Sequence, residues 1–187
     1  MAELVTRRCN TLGCPRFLRR RSGAPTPSTY CGGPGGIFSF TLDIEDEKIG
    51  LLQTTRELRV TVVAYSPLGR GLLTGRYKSP DDFHEGDLRR YVPRYSEENF
   101  PNILKLVDGL EAIGERHGAT AGQVALAWLL AQGNDIIPIP GTKSVKYLKE
   151  TLGAASFKLT PEEIAEVRAA AVGRKRTLPK ESGTSPG

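Results

Sequence analysis

Two short loops hold the residue types that could do chemistry. Tyr65-Ser66-Pro67-Leu68-Gly69-Arg70-Gly71 and Ile139-Pro140-Gly141-Thr142-Lys143 each follow a short apolar run. In the first, Tyr65 offers a flat ring. Ser66, Gly69 and Gly71 let a ligand approach the backbone and take N–H donors on its phosphate oxygens, and Arg70 adds positive charge. The second leads directly into the start of a helix, where free amides, the Thr142 hydroxyl and the Lys143 ammonium converge on an anion. Taken singly, each loop is as well explained by ordinary Gly/Pro punctuation between elements. The ordered pair is the specific signal, and the chemistry it indicates is phosphate binding.

The elements that must carry these loops are legible around them. Asp43 is placed to cap a helix running to about Leu58, with Glu45, Asp46 and Glu47 in a first turn that favours acids. Val60 to Ala64 reads as a strand buried on both faces and delivers Tyr65 at its end. A loop rich in Gly, Pro and charge is expected from Leu68 to Pro101. Then Ile103, Leu106, Val107, Leu110 and Ile113 recur at helical spacing as far as His117-Gly118. Thr120 with Gln123 makes a capping-box pattern that opens a helix with Val124, Ala127 and Trp128 on its buried stripe. Ile136 to Ile139 is a second buried strand, Ser144 opens a helix through about Leu152, and Thr160-Pro161-Glu162-Glu163 starts the last one. Helices alternating with short buried strands predict parallel β/α units, whose ligands bind at the C-terminal ends of the strands.

Composition narrows the function classes. With 187 residues, 39% hydrophobic and 25% charged, the chain has the make-up of one globular domain. No apolar run nears the roughly 18 residues of a transmembrane helix, and no secretory leader is evident. The net charge of +5 resides in residues 1–40, which hold six arginines against the single acid Glu3, so residues 41–187 balance to zero. That distribution gives no domain-wide basic face for nucleic acid. Cys9, Cys14 and Cys31 fall in the same segment with no metal-ligand spacing and an odd count, which points to a reducing, cytoplasmic setting and no metal. Residues 1–36 read as a disordered Gly/Pro/Arg-rich tail, 37–174 as the folded region and 175–187 as a polar tail. The arginine-rich start also resembles a mitochondrial transit peptide, although its apolar spacing suits an amphipathic helix poorly.

The two loops, their order, the intervening GATAGQVALAWLLAQ and the upstream LDIEDEKIGLLQTTREL together resemble the C-terminal half of the aldo-keto reductase family. The likeness runs from about Phe38 to Ala171. It implies a (β/α)8 TIM barrel, NADP(H) as cofactor and hydride transfer to a small-molecule aldehyde or ketone. Position by position, Tyr65 matches the aromatic that stacks on the nicotinamide, and Ser66, Leu68, Gly69 and Arg70 match the loop over the pyrophosphate. Gly141, Thr142 and Lys143 match the grip on the adenosine 2'-phosphate, Tyr147 the residue beside adenine, and Glu150 an acid at the adenosine end. Where the family usually has asparagine this chain has Thr151, which removes an amide from the adenine site.

The same resemblance implies a catalytic tyrosine, lysine, aspartate and histidine on the first four strands of the barrel. The matching region begins too late to include them, so the expectation is an incomplete barrel without its tetrad, inactive as it stands, with no catalytic residue assigned. Tyr30, His84 and His117 do not substitute for them, since none has partners suited to proton transfer in its sequence setting. Trp128, on a helical stripe, is expected in the core. The stretch Arg89-Arg90-Tyr91-Val92-Pro93-Arg94-Tyr95 mixes bases and aromatics as single-strand binders do, but it resembles the family's long loop over the cofactor better. The alternative function is a non-catalytic, NADP-binding or regulatory protein of the same fold, associating with another chain through its exposed sheet edge.

Overall fold

The β-branched pair Val62-Val63 favours extended backbone, and with Ala64 and Tyr65 it forms strand β1, Val62–Tyr65. The computed structural model describes residues 51–57, 61–92 and 95–172. The expected helix start at Asp43, both tails, Tyr30, the cysteines and Arg94 lie outside those residues. Helix α1 spans Leu51–Glu57, and α2 spans Phe100–His117, ending at Gly118 in the left-handed conformation. Helix α3 follows at Ala121–Ala131, strand β2 at Ile136–Ile139, α4 at Val145–Gly153 and α5 at Pro161–Val172.

β1 and β2 pair in parallel, Val62 opposite Ile136 and Tyr65 opposite Ile139, so both strands end at the same edge. Helices α2 and α3 form the crossover between them, as parallel pairing requires. One face of this sheet is covered. Val62, Ala64 and Ile136 are buried with Leu110, Val124 and Leu129 in a core that α2, α3 and α5 share. The expectation of strands buried on both faces is corrected: Val63 and Tyr65 are half-buried, and Ile137 and Ile139 are about half exposed, at 48% and 50%. Among the described residues no second layer lies over that face, so the apolar content of these strands exceeds what the described fold buries.

Helix α3 is buried nearly all round, a wider surface than the stripe of Val124, Ala127 and Trp128. Trp128 is in the core, and its indole N–H donates to the Ile164 carbonyl at 3.3 Å. The caps form as their sequence patterns require: Thr120 Oγ accepts from the Gln123 amide at 3.3 Å while Gln123 Oε1 accepts from the Thr120 amide at 2.9 Å. Thr160 and Glu163 repeat the exchange at the start of α5, at 3.2 and 3.0 Å.

The segment expected as one long loop is more ordered than its composition suggests. Its described residues include the 3-10 turns Gly69–Thr74, Pro80–Asp82 and Leu88–Tyr91. Phe83, Tyr95 and Phe100 meet edge to face at centroid separations of 6.1 Å, and with Leu72, Ile103 and Val107 they form a second small core. Short 3-10 turns carry no hydrophobic period, so a pattern search along the sequence passes over them.

Candidate functional site

Because Tyr65 lies opposite Ile139, the two loops leave adjacent strands side by side, at a separation of about 4.8 Å where the strands end. The first loop turns sharply. Ser66 takes a left-handed conformation at φ 51°, and Gly69, Arg70 and Gly71 follow at 58°, 56° and 92°. Left-handed backbone is costly for serine and arginine, so the surrounding structure must hold it there. The Gly69 amide donates to the Ser66 carbonyl at 2.9 Å, and the Gly71 and Leu73 amides donate to the Leu68 carbonyl at 3.0 and 3.2 Å. Leu68 anchors the turn by packing on the main core. The Arg70 side chain is exposed and engages no described residue.

Gly141, Thr142 and Lys143 are all exposed in the second loop. A Cβ built on Gly141 would meet nothing within 4 Å, and its φ lies outside the left-handed region. Among the described residues neither packing nor backbone geometry therefore calls for glycine there, whereas close approach by a ligand would. Thr142 Oγ accepts from the Ser144 amide at 3.1 Å, and the Ser144 side chain makes no cap of its own. The first turn of α4 thus has no side-chain cap from Ser144 and follows directly on Lys143 in the chain, an arrangement that suits a phosphate.

Further along α4, Tyr147 is exposed, with the Lys146 ammonium 6.0 Å from its ring centroid. Glu150 is tied to the start of α3: Thr120 Oγ donates to Glu150 Oε1 at 2.9 Å, and Gln123 Nε2 donates to the Glu150 carbonyl at 2.8 Å. Thr151 Oγ donates to the Tyr147 carbonyl at 2.7 Å. The ten expected residues thus fall into two groups, Tyr65 to Arg70 on one loop and Gly141 to Glu150 along the other loop and its helix, brought to one edge by the sheet register. Their chemistry is two cations, hydroxyls, amides at a helix start, two aromatic rings and one carboxylate, Glu150, which Thr120 already engages, and apart from that acid the set fits a dinucleotide carrying several phosphates.

His117 and Glu163 are committed to each other. His117 Nε2 lies 3.0 and 2.9 Å from the two carboxylate oxygens of Glu163, and its ring stacks on Phe157 at 5.0 Å. His84 is exposed. Burial works to raise the Glu163 carboxyl, but the Thr160 amide, His117 and Arg116 together outweigh it and hold the group below the usual carboxylate range. Among the described residues no cluster of His, Cys, Asp or Glu could hold a metal, and no helix is long and apolar enough to cross a membrane.

Sequence reasoning missed the internal bonding of Asp87, Arg89 and Arg90. Arg89 is paired with Asp87, while Arg90 Nε donates to the Phe83 carbonyl at 2.9 Å. Both guanidinium groups are struts of the loop rather than free charges. Aspartate two residues before arginine, at the start of a turn, was the available signal.

Comparison with known proteins supplies context. The family model described as Aldo/keto reductase family matches residues 38–172. Aldo-keto reductase str7 of Strobilurus tenacellus is 67% identical over 129 residues, covering 69% of this chain and 38% of that protein. The protein named aldo-keto reductase yakc [NADP(+)] of Schizosaccharomyces pombe is 56% identical over 131 residues, 70% of this chain and 38% of its own length. The chain therefore spans less than half the length of these relatives. The solved glycerol dehydrogenase of Gluconobacter oxydans superposes with a TM-score of 0.63 at 26% identity, over 76% of this chain and 42% of that one.

Proposed function

Since this chain belongs to the aldo-keto reductase family and holds part of its (β/α)8 barrel, we propose that residues 37–174 form the portion of an NADP-dependent oxidoreductase that grips NADP(H). The observation that carries this reading is the parallel register of Tyr65 with Ile139, which aligns the two donor-rich loops at one sheet edge. Tyr65 stacks on the nicotinamide end. Ser66, Leu68, Gly69 and Arg70 surround the pyrophosphate, while Gly141, Thr142 and Lys143 hold the 2'-phosphate, with Tyr147 and Glu150 beside the adenosine. When bound, the cofactor supplies hydride for reduction of an aldehyde or ketone to an alcohol. The name of the fission-yeast relative, with its NADP(+), supports this choice of cofactor.

Among the described residues we assign no proton donor for that reduction. His117 is committed to Glu163, and Tyr77 is packed in the loop between Gly71 and the Arg89 guanidinium, which supports structural roles for both. We therefore read the chain as binding the cofactor without turning over a carbonyl substrate. Fluorescence titration of the purified chain with NADPH and NADH tests the binding. Saturable NADPH quenching, tighter than for NADH, is expected, and its absence in folded protein would sink the assignment. A carbonyl-reduction assay on the same sample tests the rest, because measurable turnover contradicts the non-catalytic reading.

A second reading is favoured by the exposed apolar surface. Ile137 and Ile139 on the sheet, and Val145 and Leu152 on α4 at 69% and 65% exposure, would suit the complementary part of a barrel on another chain. On that reading the protein is a non-catalytic, cofactor-binding interaction partner. Sedimentation of the purified chain alone and with a full-length relative distinguishes the two.

A further inference from the structure

The loop centred on Arg89 is built against the first of the two site loops. Asp87 caps the 3-10 turn Leu88–Tyr91, its Oδ1 accepting from the Arg89 amide at 2.9 Å. The same carboxylate takes Arg89 Nε at 3.0 and 3.1 Å and Nη2 at 2.6 Å. The guanidinium carbon lies 4.3 Å from the Phe83 ring centroid and 4.5 Å from that of Tyr77. With one edge fixed by Asp87 and its faces by the rings, Arg89 points its remaining edge at the first loop. There Nη1 donates to the Arg70 carbonyl at 2.8 Å, across 19 residues of chain.

That carbonyl belongs to the strained part of the turn, where Arg70 is left-handed at φ 56° and Gly71 follows at 92°. The Tyr77 ring holds the next residue by packing: a Cβ on Gly71 would stand 3.2 Å from Tyr77 Cε2. Arg89 and Asp87 are largely shielded, with side chains only 15% and 19% exposed, so the ion pair that orients the guanidinium competes weakly with water, while its bond to the Arg70 carbonyl lies at the surface. A lysine could supply the charge at this place but not the planar fork that reaches Asp87, Tyr77 and Arg70 together.

We propose that Arg89 is a positioning residue for the cofactor loop: by holding the Arg70 carbonyl it fixes the Arg70–Gly71 turn in its ligand-ready shape before any ligand arrives. The proposal rests on the cofactor reading for its function, though the strut itself does not depend on it. Arg89→Lys and Arg89→Met in the full chain test both parts, with Arg89→Lys separating geometry from charge. Amide hydrogen exchange is followed at Gly69, Gly71 and Leu73, whose bonds close the turn, with the amides of α2 as reference, and NADPH affinity is titrated in parallel.

In Arg89→Lys, exchange at the three amides should quicken roughly tenfold while α2 is unchanged, and Kd for NADPH should rise roughly tenfold, the scale of one lost charge-assisted hydrogen bond. Unchanged exchange in both variants overturns the strut, whatever the cofactor result. Faster exchange spread equally through α2 in Arg89→Lys overturns it as well, since the role would then be general stability. Faster local exchange with unchanged Kd overturns the positioning role. If the parent chain binds no NADPH and the turn still loosens on substitution, the cofactor reading fails and the strut stands.

Discussion

The Thr151 hydroxyl donates to the Tyr147 carbonyl one turn earlier at 2.7 Å, so the side chain spends its donor on its own helix. Asparagine at this position would present an amide outward instead. We predict that Thr151→Asn tightens NADPH binding by about three- to tenfold, the value of one net hydrogen bond. Helix content should hold, because threonine and asparagine have similar helix propensities. Titration alongside circular dichroism checks this, and equal affinity would mean that the base is not read from residue 151.

Lys143 is exposed, and its ammonium engages no described residue. Replacing it with methionine should raise Kd for NADPH roughly tenfold or more, the usual scale of a charge-assisted phosphate contact. Binding of NADH, which lacks the 2'-phosphate, should hardly change. The selectivity ratio from paired titrations is the decisive quantity, and an equal loss for both cofactors would move Lys143 away from the 2'-phosphate.

Bonds from the Arg89 side chain, and then from its amide, hold the Asp87 carboxyl down to about 2. A carboxylate depressed in the folded state stabilises it above the unfolded value and loses that contribution as pH falls through the folded one. The stability difference between the parent chain and Asp87→Asn should therefore be fully present near pH 6, shrink below about 4 and vanish near 2. Urea midpoints across that range measure it, and a difference independent of pH would separate Asp87 from the charge on Arg89.

Glu163 joins the start of α5 to the end of α2, accepting from the Thr160 amide at 3.0 Å and meeting His117 at 2.9 Å from within a buried site. Glu163→Ala removes the cap of α5 and its latch to the end of α2 together, and should cost about 2–3 kcal/mol. Glu163→Gln should cost less, since the amide oxygen can still accept from Thr160. Equilibrium unfolding by urea gives both numbers, and a loss under about 0.5 kcal/mol for alanine, the level of an ordinary surface change, would contradict the latch.

What could be read along the chain depended on the range of the force involved. Thr120 with Gln123, Thr160 with Glu163 and the apolar spacing from Ile103 to Ile113 are local signals, and each formed as its pattern required. The position of the two candidate loops after β1 and β2 was legible because glycine, proline and cations cluster at strand ends. Burial of β2 was not, since the apolar run Ile136 to Ile139 is the same whether one face or both are covered. Nor was the grip of Arg89 on Arg70, because a guanidinium's partner is chosen by the folded path of the chain and leaves no spacing rule behind.

The bonds from Thr120 and Gln123 to Glu150 set a limit on how segments of such proteins can be exchanged. The two residues that begin α3 also hold α4, so a chimera joined in the stretch between Ala131 and Ile136 would separate one cap from the carboxylate and carbonyl it serves. Recombined sequences should tolerate that junction only when both parents carry the same three residues. Inheritance across this half of the barrel would then proceed in blocks that keep residues 120 to 150 together.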